Sequence, residues 1–415
     1  MGSSQEVLTA QPNDDQFPEG GYGWVCVLCI FMINAHTWGI NSAYGVILSF
    51  YLTHDAFPGT PATIYALVSG LSISCALLIA PFIAVLAPVL SIRFFIILGV
   101  ILETASMIGA SFTTHSWQLF LSQGICFGFG MGSLFMSTVG IPNQWFKQRR
   151  GIANGIVAAG SGTGGMIYSL ATNAMIQHLG FRWAFRILGV ISFTVNLIFG
   201  LLVRERKPPS SPKNKGGSFP SRFVRSPRFI LFVAWALFSL LGYIALLFSL
   251  ASYARSIGLD ADTGGLASAL LNLGQALGRP LVGALSDRFG RLRVATLASA
   301  VCGVLCMVFW PFAKGEASLF AFSILAGLGA GTVWVSVASI AAELVELPAV
   351  GPSLAILWLV LFGPGTVAEV MALQLRDDSS VQGPYFHVQM FTGAMYLAAA
   401  GCLGAVMWCV RKGPN

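Results

Sequence analysis

The stretch that decides the reading is ALGRPLVGALSDRFGR, residues 276–291. It holds one cation, Arg279, with only apolar residues, Gly and Pro for several positions on either side. A tight charged cluster, Asp287, Arg288 and Arg291, follows two turns later. On a helix this cluster marks a boundary and Arg279 lies inside it. An arginine at bilayer depth costs roughly 2.5–3.5 kcal/mol on insertion scales, and that cost is tolerated when the side chain faces a water-filled cavity or a partner. A helix end would let the side chain snorkel to the surface, but Arg279 is two turns from the boundary charges. Pro280 weakens the helix beside it and leaves a backbone carbonyl free for a ligand or a neighbouring helix.

Composition extends this local reading to the whole chain. Of 415 residues, 55% are hydrophobic and 9% charged, and the mean hydropathy is +0.76. A soluble globular chain carries roughly 25% charged residues, so no solvated surface is available here. Apolar runs long enough to cross a bilayer recur along nearly the whole length. The fold class expected is an all-α polytopic membrane protein. The polar, acidic start (MGSSQEVLTAQPNDD) lacks the basic region of a cleavable signal, and Glu6 stands where N-myristoylation wants Ser or Thr. The first apolar segment is therefore expected to be a genuine span. All eight cysteines lie in apolar segments. Cys26-x-x-Cys29 and Cys302-x-x-x-Cys306 lack the second Cys or His pair a zinc site needs and read as small core residues. No cofactor and no metal are expected.

Twelve spans are expected, at about 22–50, 62–87, 92–112, 117–141, 151–174, 183–203, 228–253, 263–286, 293–313, 317–343, 350–373 and 386–410. Between the sixth and seventh runs RERKPPSSPKNKGGSFPSRFVRSPRF, rich in Pro, Ser, Gly and cations as a flexible linker is. The organisation expected is an N-terminal tail (1–21), a six-helix half (22–203), a basic linker (204–227), a second, pseudo-symmetric six-helix half (228–410) and a short C-terminal tail (411–415). With both termini cytoplasmic, 17 Lys and Arg residues fall on the cytoplasmic side and five (Arg182, Arg186, Arg255, Lys314, Arg376) on the other. That asymmetry satisfies the positive-inside rule, and shifting the count by one span scrambles it.

The halves can be compared directly. GALSDRFGRLR follows span eight, and AVLAPVLSIRF stands at the matching place after span two, with Pro88 where the second copy has its Asp. Intact G-x-x-x-D-R-x-G-R in one copy, eroded in the other, and the doubled six-span layout together resemble the major facilitator superfamily. Two further stretches narrow the likeness. PEGGYGWVCV (18–27) resembles the acidic–Gly–Gly–aromatic–Gly–Trp signature of the monocarboxylate transporter family. QWFKQRRGIANGIVAAGSGTGG (144–165) resembles that family's Phe–x–x–Arg–Arg–x–x–Ala–x–Gly signature and the Gly-rich fifth span behind it. GFRWAFRILG (180–189) is similar to the fungal members. Independently of any family, Gly151, Gly155, Gly160, Gly162, Gly164 and Gly165 strip one side of span five of bulk, and small residues let helix backbones approach closely and slide. Helix packing alone accounts for any single one of these glycines.

The resemblance implies roles for particular residues. The family's span-eight arginine, also followed by Pro, binds the substrate carboxylate, a role Arg279 fits because a guanidinium meets a carboxylate bidentately. An acidic residue one turn earlier takes part in proton coupling; here that position is Gln275, which does not titrate. The animal members' span-one lysine appears here as Tyr44. Proton symport by that scheme is therefore in question.

Other residues are read from their spacing. Ser268, Asn272, Gln275 and Arg279 form one polar stripe on span eight. Asn34, Trp38, Asn41 and Gly45, with Tyr44 alongside, form another on span one. Asn173, Asn196, Tyr243 and Trp334 are further cavity candidates. Glu369, beside Thr366 and Gln374 on one face of span eleven, is either a proton carrier or a partner for Arg279. Glu103 in span three is a proton-coupling candidate for which a structural role is favoured. His36, on another face of span one, is a packing histidine or a relay. Asp287, Arg288 and Arg291 are expected to form a cytoplasmic gate, with Asp287 accepting from a neighbouring helix N-terminus and Arg288 pairing across the interface. Arg149 and Arg150 would serve the first half.

The function expected is secondary transport of a small organic anion, a monocarboxylate, by alternating access, with protons as a possible co-substrate. The alternative is import or export of a larger metabolite, secondary or riboflavin-like. An enzyme is disfavoured: the chain has no H-E-x-x-H, G-x-S-x-G or Walker A motif. A sensor on the same fold usually has longer cytoplasmic extensions. The net charge of +7 is not a nucleic-acid signal. Membrane lipids are the expected surroundings, a monomer the expected state and the plasma membrane the expected location.

Overall fold

A water-free slab leaves the backbone of each crossing segment to satisfy its own polar groups, which a helix does and an open strand does not. The computed structural model describes residues 18–53, 57–87, 89–206, 225–345, 347–377 and 379–411, and its regular structure in that range is all helical. Pro88, most of the linker and most of both tails lie outside the described residues. Twelve long helices follow one another: α1 (Tyr22–Leu48), α2 (Thr63–Leu86), α3 (Ile92–Ala110), α4 (Ser116–Trp145), α5 (Arg150–Leu179), α6 (Phe181–Leu202), α7 (Pro227–Ser256), α8 (Ala261–Phe289), α9 (Arg291–Phe312), α10 (Glu316–Leu344), α11 (Ala349–Gln374) and α12 (Phe386–Arg411).

Among the described residues, ten of these are long and apolar enough to cross a membrane. The two that fall short of the expected twelve are α5 and α8. Both have the length, at 30 and 29 residues, but the glycines of α5, and Asn272, Gln275, Arg279 and the terminal charges of α8, dilute their apolar character. Both are interior helices shielded by neighbours, so they need less apolar surface than a lipid-facing one.

Neighbours recur six positions apart. In the first half α1 packs on α5, α2 on α4 and α3 on α6; in the second α7 packs on α11, α8 on α10 and α9 on α12. The third helix of each half is peripheral and the fourth central: the apolar windows of α3 and α9 are 39% and 28% buried, those of α4 and α10 67% and 72%. The halves meet along two seams, α5 against α8 and α2 against α11.

Those seams are close because side chains are missing from them. A Cβ on Gly162 would lie 2.6 Å from the Ala276 nitrogen, and one on Gly155 2.6 Å from the Arg279 carbonyl oxygen. Gly283 and Gly151 meet backbone to backbone at one end of the same seam. The glycines of α5 do not share a single face, however. Gly160 and Gly164 back onto the Phe31 and Ala35 carbonyls of α1, because a helix wedged between two neighbours needs a flat side toward each. On the other seam Gly70 abuts the Thr366 carbonyl. There the Ser74 hydroxyl donates to the Phe362 carbonyl at 2.7 Å and accepts from Thr366 Oγ1 at 2.7 Å.

Gly283→Val tests the α5–α8 contact. Its side chain has only the Gly151 backbone to enter, and overpacking a close contact costs about 1–3 kcal/mol or more. The purified variant is expected to melt several degrees below the parent in detergent, whereas Gly404→Val, at a position open around its Cβ, is expected to melt with it.

Candidate anion site and end latch

Arg279 leaves α8 in mid-helix and is 3% exposed. Its Nη1 donates to the Ala158 carbonyl at 2.6 Å and to the Ser161 hydroxyl, both on α5. Its Nη2 donates to Gln275 Oε1 at 2.5 Å. The guanidinium of one half is thus clasped to the backbone of the other. Nε, buried as well, has no hydrogen-bond partner among the described residues, and no described carboxylate stands within ion-pair distance. Room for the head group comes from Gly331, where α10 breaks between Glu316–Ala330 and Thr332–Leu344; any Cβ there would run into Arg279 Nε.

Gln275 orients this arginine. Its Oε1 also accepts from the Tyr243 hydroxyl at 3.2 Å, and its Nε2 donates to Asn272 Oδ1 at 3.4 Å, with Asn272 Nδ2 anchored on the Ser268 carbonyl at 3.2 Å. A neutral amide in the one-turn-earlier position therefore holds the cation without neutralising it.

Arg279 lines a cavity between the halves together with Asn34, Trp38, Ser42, Phe135, Asn154, Ser161, Tyr243 and Trp334. Its free space is about 40 Å³, room for a few waters at roughly 10–15 Å³ each. Trp38 follows the break of α1 at Thr37, where Tyr22–His36 ends. Interrupted helices on both sides of the cavity put irregular backbone beside a polar pocket, the one place in a membrane where it is tolerated.

Of the expected binding residues, Arg279, Asn34 and Trp38 line the cavity; Asn272, Gln275, Asn41 and Tyr44 do not. Asn34 Nδ2 donates to the Val157 carbonyl at 3.0 Å. Asn41 Nδ2 donates to Ser72 Oγ at 2.8 Å, and the Tyr44 hydroxyl to the Tyr65 carbonyl at 3.0 Å. These last two tie α1 to α2 inside the first half. Tyr243 and Trp334 are in the lining, whereas Asn173 and Asn196 are not. Ser161, Gly331 and the Ala158 carbonyl are absent from the sequence-level set. A serine inside AAGSGTGG was the available signal for the first; a carbonyl partner and a space-making glycine leave none.

The titratable candidates separate. Glu103 Oε2 accepts from Asn196 Nδ2 at 2.9 Å, an α3–α6 contact within the first half. His36 Nδ1 is 2.8 Å from the Met32 carbonyl one turn back, and the ring meets Tyr168 edge-on at 5.6 Å. Glu369 is 3% exposed on α11, against the α2–α11 seam, and its Oε2 has no hydrogen-bond partner among the described residues. It does not pair with Arg279, which corrects the partner alternative: the guanidinium points to α5, while the carboxyl sits toward α2.

At the Asp287 end, Oδ1 accepts from the Gly151 N–H at 2.9 Å and Oδ2 from the Ile152 N–H at 3.0 Å. These are donors of the first turn of α5, where unpaired N–H groups and the helix dipole favour an anion. Gly151 is required, since a Cβ there would collide with the carboxylate and with Gly283. Among the described residues Arg288 has no partner across the interface. It is exposed, 5.3 Å above the ring of its neighbour Phe289, because the last turn of α8 turns Asp287 toward α5 and the next residue away. Arg291 instead holds Glu343 at 3.4 Å and the Ser339 carbonyl at 3.4 Å, inside the second half. Arg150 is buried and donates to the Phe146 carbonyl at 2.8 Å. The backbone N–H groups of Lys147, Gln148 and Arg149 converge on the Glu19 carboxylate at 2.5, 2.7 and 3.3 Å, so Arg149 contributes main chain there.

A doubled helical bundle with two glycine seams around a cation-bearing cavity defines a membrane transporter fold, and comparison with known proteins agrees. Residues 24–368 match the model of the Major Facilitator Superfamily, and the chain belongs to that family. It is 32% identical to the probable transporter MCH2 of Saccharomyces cerevisiae over 95% of this chain and 84% of that one. It is 25% identical to the Fujikurins efflux protein of Gibberella fujikuroi over 97% and 86%. In fold it is similar to a bacterial homologue of the human lysosomal transporter Spinster, captured inward-facing and unoccupied, with a TM-score of 0.63 at 17% identity over 95% of this chain and all of that one.

The latch makes a prediction. Asp287→Ala removes two charge-assisted hydrogen bonds, worth about 1.5–3 kcal/mol each, and leaves the α5 N-terminus unpaired. With cysteines placed at Ile152 and Leu285, spin-label distances are expected to broaden toward longer values in Asp287→Ala and to stay narrow in Arg288→Ala.

Proposed function

We propose that this protein moves a small organic anion across the membrane by alternating access, with Arg279 as the anion receptor, and that it belongs to the monocarboxylate branch of its family. The observation that carries this is a buried guanidinium facing a cavity with no carboxylate partner among the described residues. Three neutral acceptors leave part of its donor capacity unused, and only an incoming anion supplies the missing charge. A carboxylate entering the cavity displaces the Ala158 and Ser161 contacts and takes two N–H groups in parallel. The tie between α5 and α8 then passes from protein to substrate, so the halves part only when the anion accompanies one of them.

In this reading α5 and α8 also cross the bilayer, giving twelve spans with both termini cytoplasmic as the distribution of cations requires, and the chain works as a monomer in the plasma membrane. Asp287 latches the cytoplasmic end. Glu369 carries the coupling proton: a buried carboxyl group with an unpartnered oxygen is tolerated in neutral form, and an unpaired charge there is costly. It sits on a seam that opens and closes, so it meets water in one state and not in the other. Export of a larger metabolite is the second reading, favoured by the named efflux relative.

The test is uptake of pyruvate into proteoliposomes, with and without an inward proton gradient. Accumulation driven by the gradient in wild type and loss of at least about tenfold in Arg279→Gln, equivalent to about 1.4 kcal/mol, is the expected result. Gradient-independent movement equal in wild type and Arg279→Gln would sink the anion reading. Glu369→Gln is expected to retain exchange of internal for external anion while losing accumulation and its dependence on external pH. If it accumulates anion as wild type does, the proton runs elsewhere.

A further inference from the structure

Resting on that anion reading, we infer that the preferred substrate carries a flat aromatic or conjugated body beyond its carboxylate, and that short aliphatic acids are poorer substrates. The wall of the cavity that Arg279 shares is built of rings from both halves. Trp38 of α1 and Trp334 of α10 meet at a tilt of 45° with centroids 5.1 Å apart. Phe135 meets Trp38 edge-on at 5.4 Å, and Tyr243 meets Trp334 edge-on at 6.1 Å. Trp358 stacks behind Trp334 at 5.9 Å and 15° and backs it from α11. These rings close the cavity on one another. When the halves separate, the Trp38–Trp334 pair parts first, since one ring belongs to each half, and a flat ring inserted between them restores both faces with the offset or edge-on contacts such pairs favour. A methyl group does not fill that slot.

The unsatisfied atoms of the lining give the rest of the pattern. Most polar groups there are already bonded: Ser42 donates to the Trp38 carbonyl, Asn154 to Asn143, Ser161 to the Ala158 carbonyl. Three buried atoms have no partner among the described residues: Arg279 Nε, Trp38 Nε1 and Asn34 Oδ1. Two donors and one acceptor ask for a carboxylate, an acceptor such as a ring or side-chain oxygen, and one hydroxyl or N–H. Among the described residues Arg279 alone supplies charge to the lining, which matches a singly charged anion. Its class is a hydroxylated or heteroaromatic monocarboxylic acid.

The test isolates the ring from the polar groups and compares phenylpyruvate with pyruvate, which share the 2-oxo acid head, in reconstituted wild type, Trp334→Leu and Arg279→Gln. In wild type, phenylpyruvate is expected to show a KM at least about tenfold lower. Trp334→Leu is expected to raise that KM about 3–10-fold, the loss of one good ring contact, and to raise pyruvate's by less; an unchanged melting temperature in detergent reports that the variant is folded. Competition against labelled pyruvate by phenylpyruvate and by hexanoate, in wild type alone, repeats the test without a variant: the aromatic acid is expected to inhibit at far lower concentration. Equal KM values for both acids, each lost in Arg279→Gln, would overturn this inference and leave the anion receptor standing. Uptake that ignores Arg279 overturns both.

Discussion

A positive charge buried between two halves of a membrane bundle is the constraint on which the rest depends. Arg279 does not leave the membrane, since α8 holds it in mid-helix, and it is not neutralised by a neighbour, since Gln275 stands where an acid would do that. Its head group is therefore held by neutral oxygens, one from its own helix and two from α5. Close approach of α5 and α8 is a condition for this clasp, and the glycines of α5 are a condition for the approach. Gly331 opens α10 for the same head group. A break in one helix, a stripe of bare backbone on another and a neutral amide on a third all follow from keeping one guanidinium charged and available.

The two seams divide the work. Along α5–α8 the contacts are polar and charged at two levels, the Arg279 clasp in the middle and the Asp287 latch at the end, each made by the second half against the backbone of the first. Along α2–α11 the contacts are hydroxyls on carbonyls, Ser74 and Thr366, with Glu369 buried nearby and Pro88 outside the described residues. One seam therefore carries a strong end latch, and the other a titratable group. In the function proposed, an anion acts on the first seam directly and on the second only through rotation of the halves, so that anion and proton events are separate in space and coupled through one motion.

The bundle was legible in the sequence because its causes are local. Each apolar run reports its own helix without any knowledge of packing. The latch was half legible: D-R-x-G-R pointed to Asp287, but which of its neighbours faces α5 depends on where the last turn of α8 stops, and Arg288 turned outward. The cavity was less legible. The span-one stripe mixed residues facing the cavity (Asn34, Trp38) with residues bonded to α2 (Asn41, Tyr44), because the break at Thr37 changes the facing part-way and an ideal helical wheel does not register it. Glu369 as a partner for Arg279 was plausible by depth alone; only the direction of the two side chains separates them. Ser161 and Gly331 act across the interface, and nothing in their own neighbourhood announces it.

Equilibrium binding of phenylpyruvate to the purified protein, read by quenching of intrinsic tryptophan fluorescence, tests the central claim most directly. Saturable quenching in wild type, lost in Arg279→Gln, retained in Glu369→Gln and strengthened in Ser161→Ala, where the acid no longer competes with the hydroxyl for the same N–H, is the result predicted. Equal binding by wild type and Arg279→Gln would contradict it and reduce the buried guanidinium to a structural tie between α5 and α8.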